Sequence, residues 1–458
     1  MEFQKIKLHR SEKNRAAVTQ ITLDDDYNVP DYRQDIVKVI KERGELRFDE
    51  VKAMEGAAWI KGSLVFKVLY RSDKQEGKIS CLRGEIPFQE RLNMDGLSEY
   101  DAVHATGDME DLTIGVINSR KLNVRAVIVL TASSEKEVDE ELTCELSDGS
   151  SYEQNIVEKE ALKLLVVRRD ICRQKSEAVL PSSKPNIREI LWQSMQLRNV
   201  ESRLVEGKIR LSGEILVSIL YNDEEEGEHL SWYETTVPLD AQAECGVMED
   251  DCIWQVQMVP LTMELEVKPD YDGEERILVM ELALDTHIRI WKEEKIRLLT
   301  DLYSLQKEVK PVFRECPLER LLVKNAAKCR MTEQMELKED KEKVLQICSC
   351  EGKVLLERQE IKPDGVLAEG TVEVNILYIT PDDHMPVGAV QEIYPFSQLV
   401  EIPEMSAQAK VELDASLEQL SAVMLDQEHV EIRAAVRLDL IAFVQEVIQN
   451  IEEATESE

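Results

Sequence analysis

The chain has 458 residues, 43% of them hydrophobic and 32% charged. Since typical domains contain about 100–200 residues, this length predicts roughly three domains with apolar cores and excludes a wholly disordered chain. The net charge of −35 opposes binding to nucleic-acid phosphates or anionic lipid.

The N-terminal sequence and the number of cysteines indicate the cellular compartment in which the protein is expected. Met1–Leu8 has no apolar segment followed by a cleavage site, so no signal peptide is expected. No run of about 18 apolar residues is present, which predicts no membrane span. Nine cysteines, an odd number without an export signal, predict reduced thiols. We therefore expect a cytoplasmic protein.

One segment, which begins with glycine and ends with Leu-Tyr, occurs three times, and a proline follows each tyrosine by 17 positions. The signature residues of the three copies are Gly62, Tyr70 and Pro87; Gly213, Tyr221 and Pro238; and Gly370, Tyr378 and Pro395. Offsets of 151 and 157 residues separate the copies. They predict repeats over 1–150, 151–308 and 309–451, followed by an acidic tail over 452–458.

Alternation predicts that each segment ending at the tyrosine is a strand. In the first copy Leu64, Phe66, Val68 and Tyr70 share an apolar face, and Lys67 lies on the opposite face. This pattern predicts a sheet that covers a core on one side and meets water on the other. The tyrosines are expected to be core residues whose hydroxyls reach a partner. The turns after them differ in length and charge, so we look for specificity there and at the sheet edges.

Two other segments bear on secondary structure. An apolar i, i+3, i+4 pattern precedes each strand and predicts one or two helical turns. Its members are Ile36, Val39 and Ile40; Ile187, Ile190 and Leu191; and Val344, Ile347 and Cys348. Val411–Met424 is a further helix candidate, with strand plus turn as the alternative. The sequence thus predicts a mainly β protein of three antiparallel sandwich or open-barrel-like repeats, each with a short helical segment.

The glycine-to-tyrosine strand, the downstream proline and the Asp/Asn-Ile segment resemble the SPOCS domain family, in tandem copies over nearly the whole chain. Its best-known members are SipL-type spore-coat morphogenetic proteins of endospore-forming Firmicutes. The resemblance implies a mother-cell protein at the forespore surface that binds the coat-basement ATPase and other coat proteins. SipL-type proteins also carry a C-terminal LysM module that contacts the ATPase. No such module is evident here; the chain is either a partial sequence or a relative without it.

Motifs for chemistry are missing from the sequence. It has no phosphate-binding glycine loop, nucleophile elbow or zinc-binding helix. Cys348 and Cys350 form the tightest cysteine pair, and Cys245 and Cys252 lie seven apart, but neither pair has the spacing of a tetrahedral zinc site. The six histidines are scattered. We expect no catalytic residues, no cofactor and no metal, and therefore no enzyme.

These observations favour a non-enzymatic scaffold of spore-coat assembly whose repeats bind protein partners. An alternative is an exported or cell-wall-associated β-repeat binding protein unrelated to sporulation. A third reading, an enzyme with a site between domains, has no motif in its favour. The sequence does not indicate which repeat carries the contact.

Overall fold

The computed structural model describes residues 1–72, 76–147, 151–224, 229–249 and 251–457, with backbone only at 12–15 and 457. Within these residues every regular element is a strand and every strand pairing is antiparallel. The prediction of a mainly β protein is confirmed, but the predicted short helical segments are not seen. Residues 73–75 and 225–227 of the predicted turns, and residue 458 of the predicted tail, lie outside the described residues.

Eighteen strands follow one another as three sets of six. In unit 1 they are β1 (Phe3–Asn28), β2 (Lys38–Met54), β3 (Ala57–Arg71), β4 (Ile79–Asn93), β5 (Val103–Asn118) and β6 (Lys121–Leu146). In unit 2 they are β7 (Glu153–Val179), β8 (Ile187–Val205), β9 (Lys208–Asp223), β10 (Leu230–Glu244), β11 (Ile253–Pro269) and β12 (Glu275–Tyr303). In unit 3 they are β13 (Glu308–Glu336), β14 (Gln346–Lys362), β15 (Gly365–Ile379), β16 (Val387–Glu401), β17 (Lys410–Met424) and β18 (His429–Ser457). Residues 452–457 of the predicted tail thus continue β18.

Each unit consists of two three-stranded sheets that enclose one core. In unit 1 the short sheet has the order β2-β3-β4 and the long sheet the order β1-β6-β5. The apolar face of β3, which includes Leu64, Phe66 and Val68, packs against Leu122–Ala132 of β6. Units 2 and 3 have corresponding sheets and separate cores. The period-two alternation arises because successive side chains of a strand point to opposite sides of its sheet.

A β-bulge explains why the predicted helical turns are wrong. In all three units the pairing of the second strand with the third skips one residue, and these residues are Ile40, Leu191 and Cys348. An inserted residue moves the following side chains to the other face, so a strand acquires apolar positions at an irregular spacing. The i, i+3, i+4 pattern therefore comes from a bulged strand. The other helix candidate, Val411–Met424, lies in β17.

Part of the outer face of each short sheet is buried, contrary to the expectation that this face meets water. Leu69, Leu220 and Leu377, each directly before a signature tyrosine, point away from the unit cores and are buried. They form one apolar cluster with residues from the bulges and from the fourth strands. We call this cluster the axial core; it comprises Leu69, Leu220, Leu377, Ile40, Leu191, Cys348, Ile79, Leu230 and Val387.

The three units close into a ring around the axial core. The fourth strand of each unit contacts the second strand of the next: β4 lies against β8, β10 against β14, and β16 against β2. Because equivalent residues of all three units meet in the axial core, the arrangement has approximate threefold symmetry. The outer faces of the short sheets are consequently an interface between units.

The outer parts of the long sheets continue as two-stranded ribbons that also meet. Leu8, Leu142, Leu298, Leu318 and Ile448 form a second apolar cluster shared by the units. Among them lies the buried Asn450, at the position that Leu142 and Leu298 occupy in the other units, two residues before a bulge. Its amide bonds the backbone N–H and C=O of Thr143 and the C=O of Leu299. One side chain thus links all three ribbons.

Replacing Leu377 by alanine tests the contribution of the axial core. Truncating a fully buried leucine removes apolar contact and leaves a cavity, so we expect Leu377→Ala to lower the free energy of unfolding by about 2–5 kcal/mol. The measurement is urea unfolding followed by circular dichroism. The control is Leu355→Ala, in the same sheet at a leucine that is 40% exposed. Equal losses of unfolding free energy in the two variants would contradict the conclusion that the axial core stabilises the protein.

Candidate functional site at the junction of the three units

The signature tyrosines fix the entry of each unit's second strand. Tyr70, Tyr221 and Tyr378 are fully buried. Their hydroxyls donate to the backbone carbonyls of Gln34 (3.1 Å), Pro185 (3.1 Å) and Glu342 (2.9 Å). Each acceptor lies 36 residues before its tyrosine, in the loop between the first two strands of the unit. This bond satisfies the buried hydroxyl and ties that loop to the end of the third strand.

Close packing explains the signature glycines. A Cβ atom on Gly62, Gly213 or Gly370 would lie within 3.0 Å of a backbone carbonyl of the second strand. At Gly62 and Gly370 it would also meet the ring of the phenylalanine that follows the signature proline. The prolines themselves lie in β4, β10 and β16, which are the edge strands of their sheets, and edge strands are where proline is tolerated. The signature residues therefore have structural roles in this fold.

The described residues of the turns after the three tyrosines meet at one end of the axial core, and we call this end the turn pole. The Arg71 guanidinium donates to the His384 carbonyl (3.1 Å), which joins the turns of units 1 and 3. Arg33 pairs with Glu189 at 3.0 Å, which joins units 1 and 2. A cavity of about 540 Å³ at this pole has walls from all three units, with Lys78, Arg188, His229 and Asp383 among its residues. The fold thus gathers on one surface the turns that the sequence singled out.

A buried charge cluster lies beside the axial core and takes residues from all three units. The Glu351 carboxylate of unit 3 lies 3.5 Å from the Lys41 ammonium and 3.4 Å from the Arg43 guanidinium of unit 1. It also accepts a hydrogen bond from the Trp192 indole of unit 2 at 3.0 Å. Burial alone raises the pKa of Glu351, but the two cations and the indole outweigh it and hold this pKa below its usual value. The carboxylate is therefore charged in the interior.

Two further polar contacts join the long sheets of neighbouring units. His287 of unit 2 lies 2.9 Å from the Glu135 carboxylate of unit 1. Arg289 of unit 2, which is buried, makes a bidentate pair with Glu412 of unit 3. Such two-pronged arginine–carboxylate pairs fix orientation as well as charge. The structure thus uses histidine and arginine to align units.

The cysteines show no arrangement for metal or redox chemistry among the described residues. Burial raises the pKa of the Cys348 and Cys350 thiols to about 12, so they are protonated. Cys252 lies near Glu249 and Asp251. However, the Lys292 ammonium pairs with both carboxylates and occupies the place where a cation would bind. These acidic groups are exposed, and the cluster carries no metal assignment.

The sequence did not single out the residues that join the units. Lys41, Trp192 and Ser349 occupy one equivalent position, yet they differ in size and charge. An alignment of the three sequence repeats identifies such positions as ones at which the repeats differ. It does not show that residues about 150 and 310 positions apart meet in the interior, because that contact depends on how the units close into a ring.

Neutralising Glu351 tests the charge cluster. Glu351→Gln keeps the size of the side chain and its acceptor for Trp192, but leaves Lys41 and Arg43 without their counter-charge. Removing one partner of a buried ion pair costs about 3–5 kcal/mol of unfolding free energy, and urea unfolding measures the loss. Glu357→Gln, at an exposed position of the same strand, is the matched control. A loss no greater than in the control would show that the cluster contributes little.

The contact between units 1 and 2 predicts acid sensitivity. Burial, followed by the charge of Arg169, lowers the pKa of His104 to about 4. Burial would raise the pKa of Glu135, but hydrogen bonds from His287 and Ser11 outweigh it and lower this pKa to about 2. The unfolded chain therefore binds more protons than the folded one, at His104 between about pH 6.5 and 4 and at Glu135 between about pH 4.5 and 2. The free energy of unfolding should therefore decrease as the pH is lowered through each of these two ranges.

The variant His104→Gln separates the two windows. Its urea midpoint should change less than that of the wild type between pH 6.5 and 4.5 and should fall similarly below that range. His229→Gln, at an exposed histidine, serves as the control and should follow the wild type. An unchanged pH profile in His104→Gln would refute the role of this histidine.

Comparison with known proteins supports one family. The family model described as "SipL, SPOCS domain" matches residues 35–117, 186–268 and 343–425. These segments together cover more than half of the chain. They correspond to β2–β5, β8–β11 and β14–β17 and leave out the long first and last strands of each unit.

Other comparisons carry less information. No curated protein matches the sequence. The ferric yersiniabactin uptake receptor FyuA from Yersinia pestis is 9% identical in sequence, and the match covers 96% of this chain and 79% of that chain with a TM-score of 0.10. A TM-score this low supports no argument about fold. No helix within the described ranges has the length and apolar character needed to cross a bilayer.

One family match lies within each of the three structural units, and together the matches contain all nine signature residues. Proteins of the SipL type give this family its name, and membership suggests a role related to the spore coat. On this evidence the chain belongs to the SipL SPOCS-domain family.

Proposed function

We propose that this protein is a non-enzymatic scaffold of spore-coat assembly. In this proposal it acts in the mother-cell cytoplasm at the forespore surface, and it binds coat morphogenetic proteins there, with the coat-basement ATPase as the first candidate partner. Family membership supports the link to the coat.

The observation that carries the proposal is that the three SPOCS units, each with its own core, pack together around the buried axial core. Their outward surfaces are consequently held at fixed distances from one another. A partner that forms a repeating polymer presents its own sites at fixed spacing, and linked contacts can raise avidity by about 10²–10⁴ when the geometries match. A rigid three-unit body suits such a partner better than three flexibly joined units would.

The turn pole is the surface we assign to partner contact. It combines turns of different charge from all three units, and loops on a rigid framework commonly carry binding. Exposed basic groups there, Lys78, Arg188 and His229, lie beside the acidic Glu76 and Glu189. Mixed charges around a concave surface favour specificity and orientation of a protein partner.

A tagged copy in sporulating cells tests the proposed function. We expect a ring or cap of fluorescence on the forespore that disappears when the coat ATPase is deleted. The double variant Lys78→Glu and Arg188→Glu should weaken this ring and reduce binding to the purified ATPase. Lys175→Glu with Arg203→Glu changes the net charge equally at exposed positions of the unit 2 sheets and should behave as the wild type.

Two results would count against the proposal. A diffuse signal, or expression confined to vegetative growth, would remove the coat assignment. Recovery of the protein in the culture supernatant would favour an exported binding protein instead. Equal weakening by both double variants would leave the coat role in place but move the contact away from the turn pole.

A further inference from the structure

The fifth strand of each unit lies at an edge of its long sheet, and the three edges differ. Within the described residues β5, β11 and β17 each pair with one strand, so the other side of each strand has no pairing partner. Every second residue of an edge strand directs its N–H and C=O away from the sheet, and these groups can pair with a strand of another chain. Folded proteins usually protect such edges with charges, with proline or with a covering element.

Two of the three edges are protected. In β11 the outward side chains of Glu264 and Glu266 are charged and exposed, and Pro269 ends the strand. In β17 the neighbouring unit covers the edge, because β8 lies against this strand and the Arg198 guanidinium donates to the Leu420 carbonyl at 3.1 Å. Addition of a further strand is therefore disfavoured at both edges.

The corresponding part of β5 has no such protection. Residues 112–117, with the sequence Leu-Thr-Ile-Gly-Val-Ile, contain no charge and no proline. Thr113, Gly115, Val116 and Ile117 are exposed, and a Cβ atom added to Gly115 would meet no atom of the described residues within 4 Å. In the described part of the chain no other unit packs on β5 as closely as β8 packs on β17. The backbone of this segment is therefore accessible to another chain.

Carboxylates flank the start of this segment. Asp108, Glu110 and Asp111 are exposed. Asp108 lies 3.5 Å from the Lys353 ammonium of unit 3, whereas Glu110 accepts a hydrogen bond from the neutral Gln20 amide at 2.6 Å. The chain as a whole has a net charge of −35. These charges attract a cationic strand, and they repel an acidic one, including the same strand of a second copy of this chain.

We propose that residues 112–117 of β5 bind an extended, cationic segment of a partner protein, which adds a fourth strand to the long sheet of unit 1. In this mode of recognition main-chain hydrogen bonds supply affinity and alternate side chains supply specificity. In an antiparallel arrangement, the kind found throughout this fold, the segment starts beside Val116 and Ile117 and ends beside Asp108 and Asp111. It therefore has aliphatic residues at its start and lysine or arginine at alternate positions toward its end. This contact is separate from the turn pole and does not depend on the proposed function.

The test uses two synthetic peptides that differ only in charge. Val-Thr-Val-Thr-Lys-Thr-Lys-Thr has the expected pattern, and its counterpart carries glutamate in place of both lysines. Isothermal titration to the full-length protein should show that the lysine peptide binds at least about tenfold more tightly, because each cross-strand charge pair changes from attraction to repulsion in the glutamate peptide. Hydrogen exchange followed by mass spectrometry should show slower exchange over residues 112–117 when the lysine peptide is bound.

A charge reversal on the strand identifies the site. The double variant Asp108→Lys with Asp111→Lys should exchange the two preferences, so that the glutamate peptide binds more tightly than the lysine peptide. The control, Glu264→Lys with Glu266→Lys, makes the same change of charge on β11 and should keep the preference of the wild type. All four positions are exposed, and circular dichroism checks that both variants keep the β structure.

Several outcomes would overturn the proposal. One is a wild type that does not bind the lysine peptide, and another is an unchanged preference in the variant at Asp108 and Asp111. A lysine peptide with a methylated backbone nitrogen at alternate residues cannot pair with a strand, so its binding as tightly as the unmodified peptide would show charge attraction alone. Dimerisation of the wild type in sedimentation equilibrium that the lysine peptide reverses would assign this edge to a second copy instead.

Discussion

Burial of three leucines between the units is the contact on which the rest of the structure depends. Leu69, Leu220 and Leu377 point away from their own cores and toward one another. Full burial of a leucine stabilises by about 1.5–3 kcal/mol, and each of these leucines is buried only if the other units are present. The short sheets therefore bury apolar residues on both faces, on one face within the unit and on the other between units.

The polar residues at the interface make the units non-interchangeable. With three identical copies, the charge cluster would bring together three lysines or three glutamates, which repel one another when buried. Here Lys41, Trp192 and Glu351 come from different units and complement one another. Asn450 breaks the symmetry of the ribbons in the same way. Divergence between the copies thus gives each unit a defined neighbour.

The sequence predicted local structure well and assembly poorly. Alternation identified β3, β9 and β15, because a strand with one buried face has a period of two that any short window reveals. The apolar pattern from Ile36 to Ile40 led to the wrong prediction of helical turns, because a β-bulge at Ile40 gives a strand the same spacing of apolar residues as a helix. Lys67 suggested a water-facing surface, whereas burial lowers the pKa of its ammonium. Its neighbours across the interface come from distant parts of the chain, and no local pattern records them.

The long strands give the molecule a direction. β1 runs from Phe3, in the far ribbon cluster, to Asn28, beside the loop held by Tyr70. At about 3.3 Å per residue its 26 residues reach up to about 85 Å. Phe3 and Ala454 share one apolar cluster at the far end, so the first and last strands start and finish together there. The strands therefore set a fixed separation between the turn pole and the opposite end of the molecule.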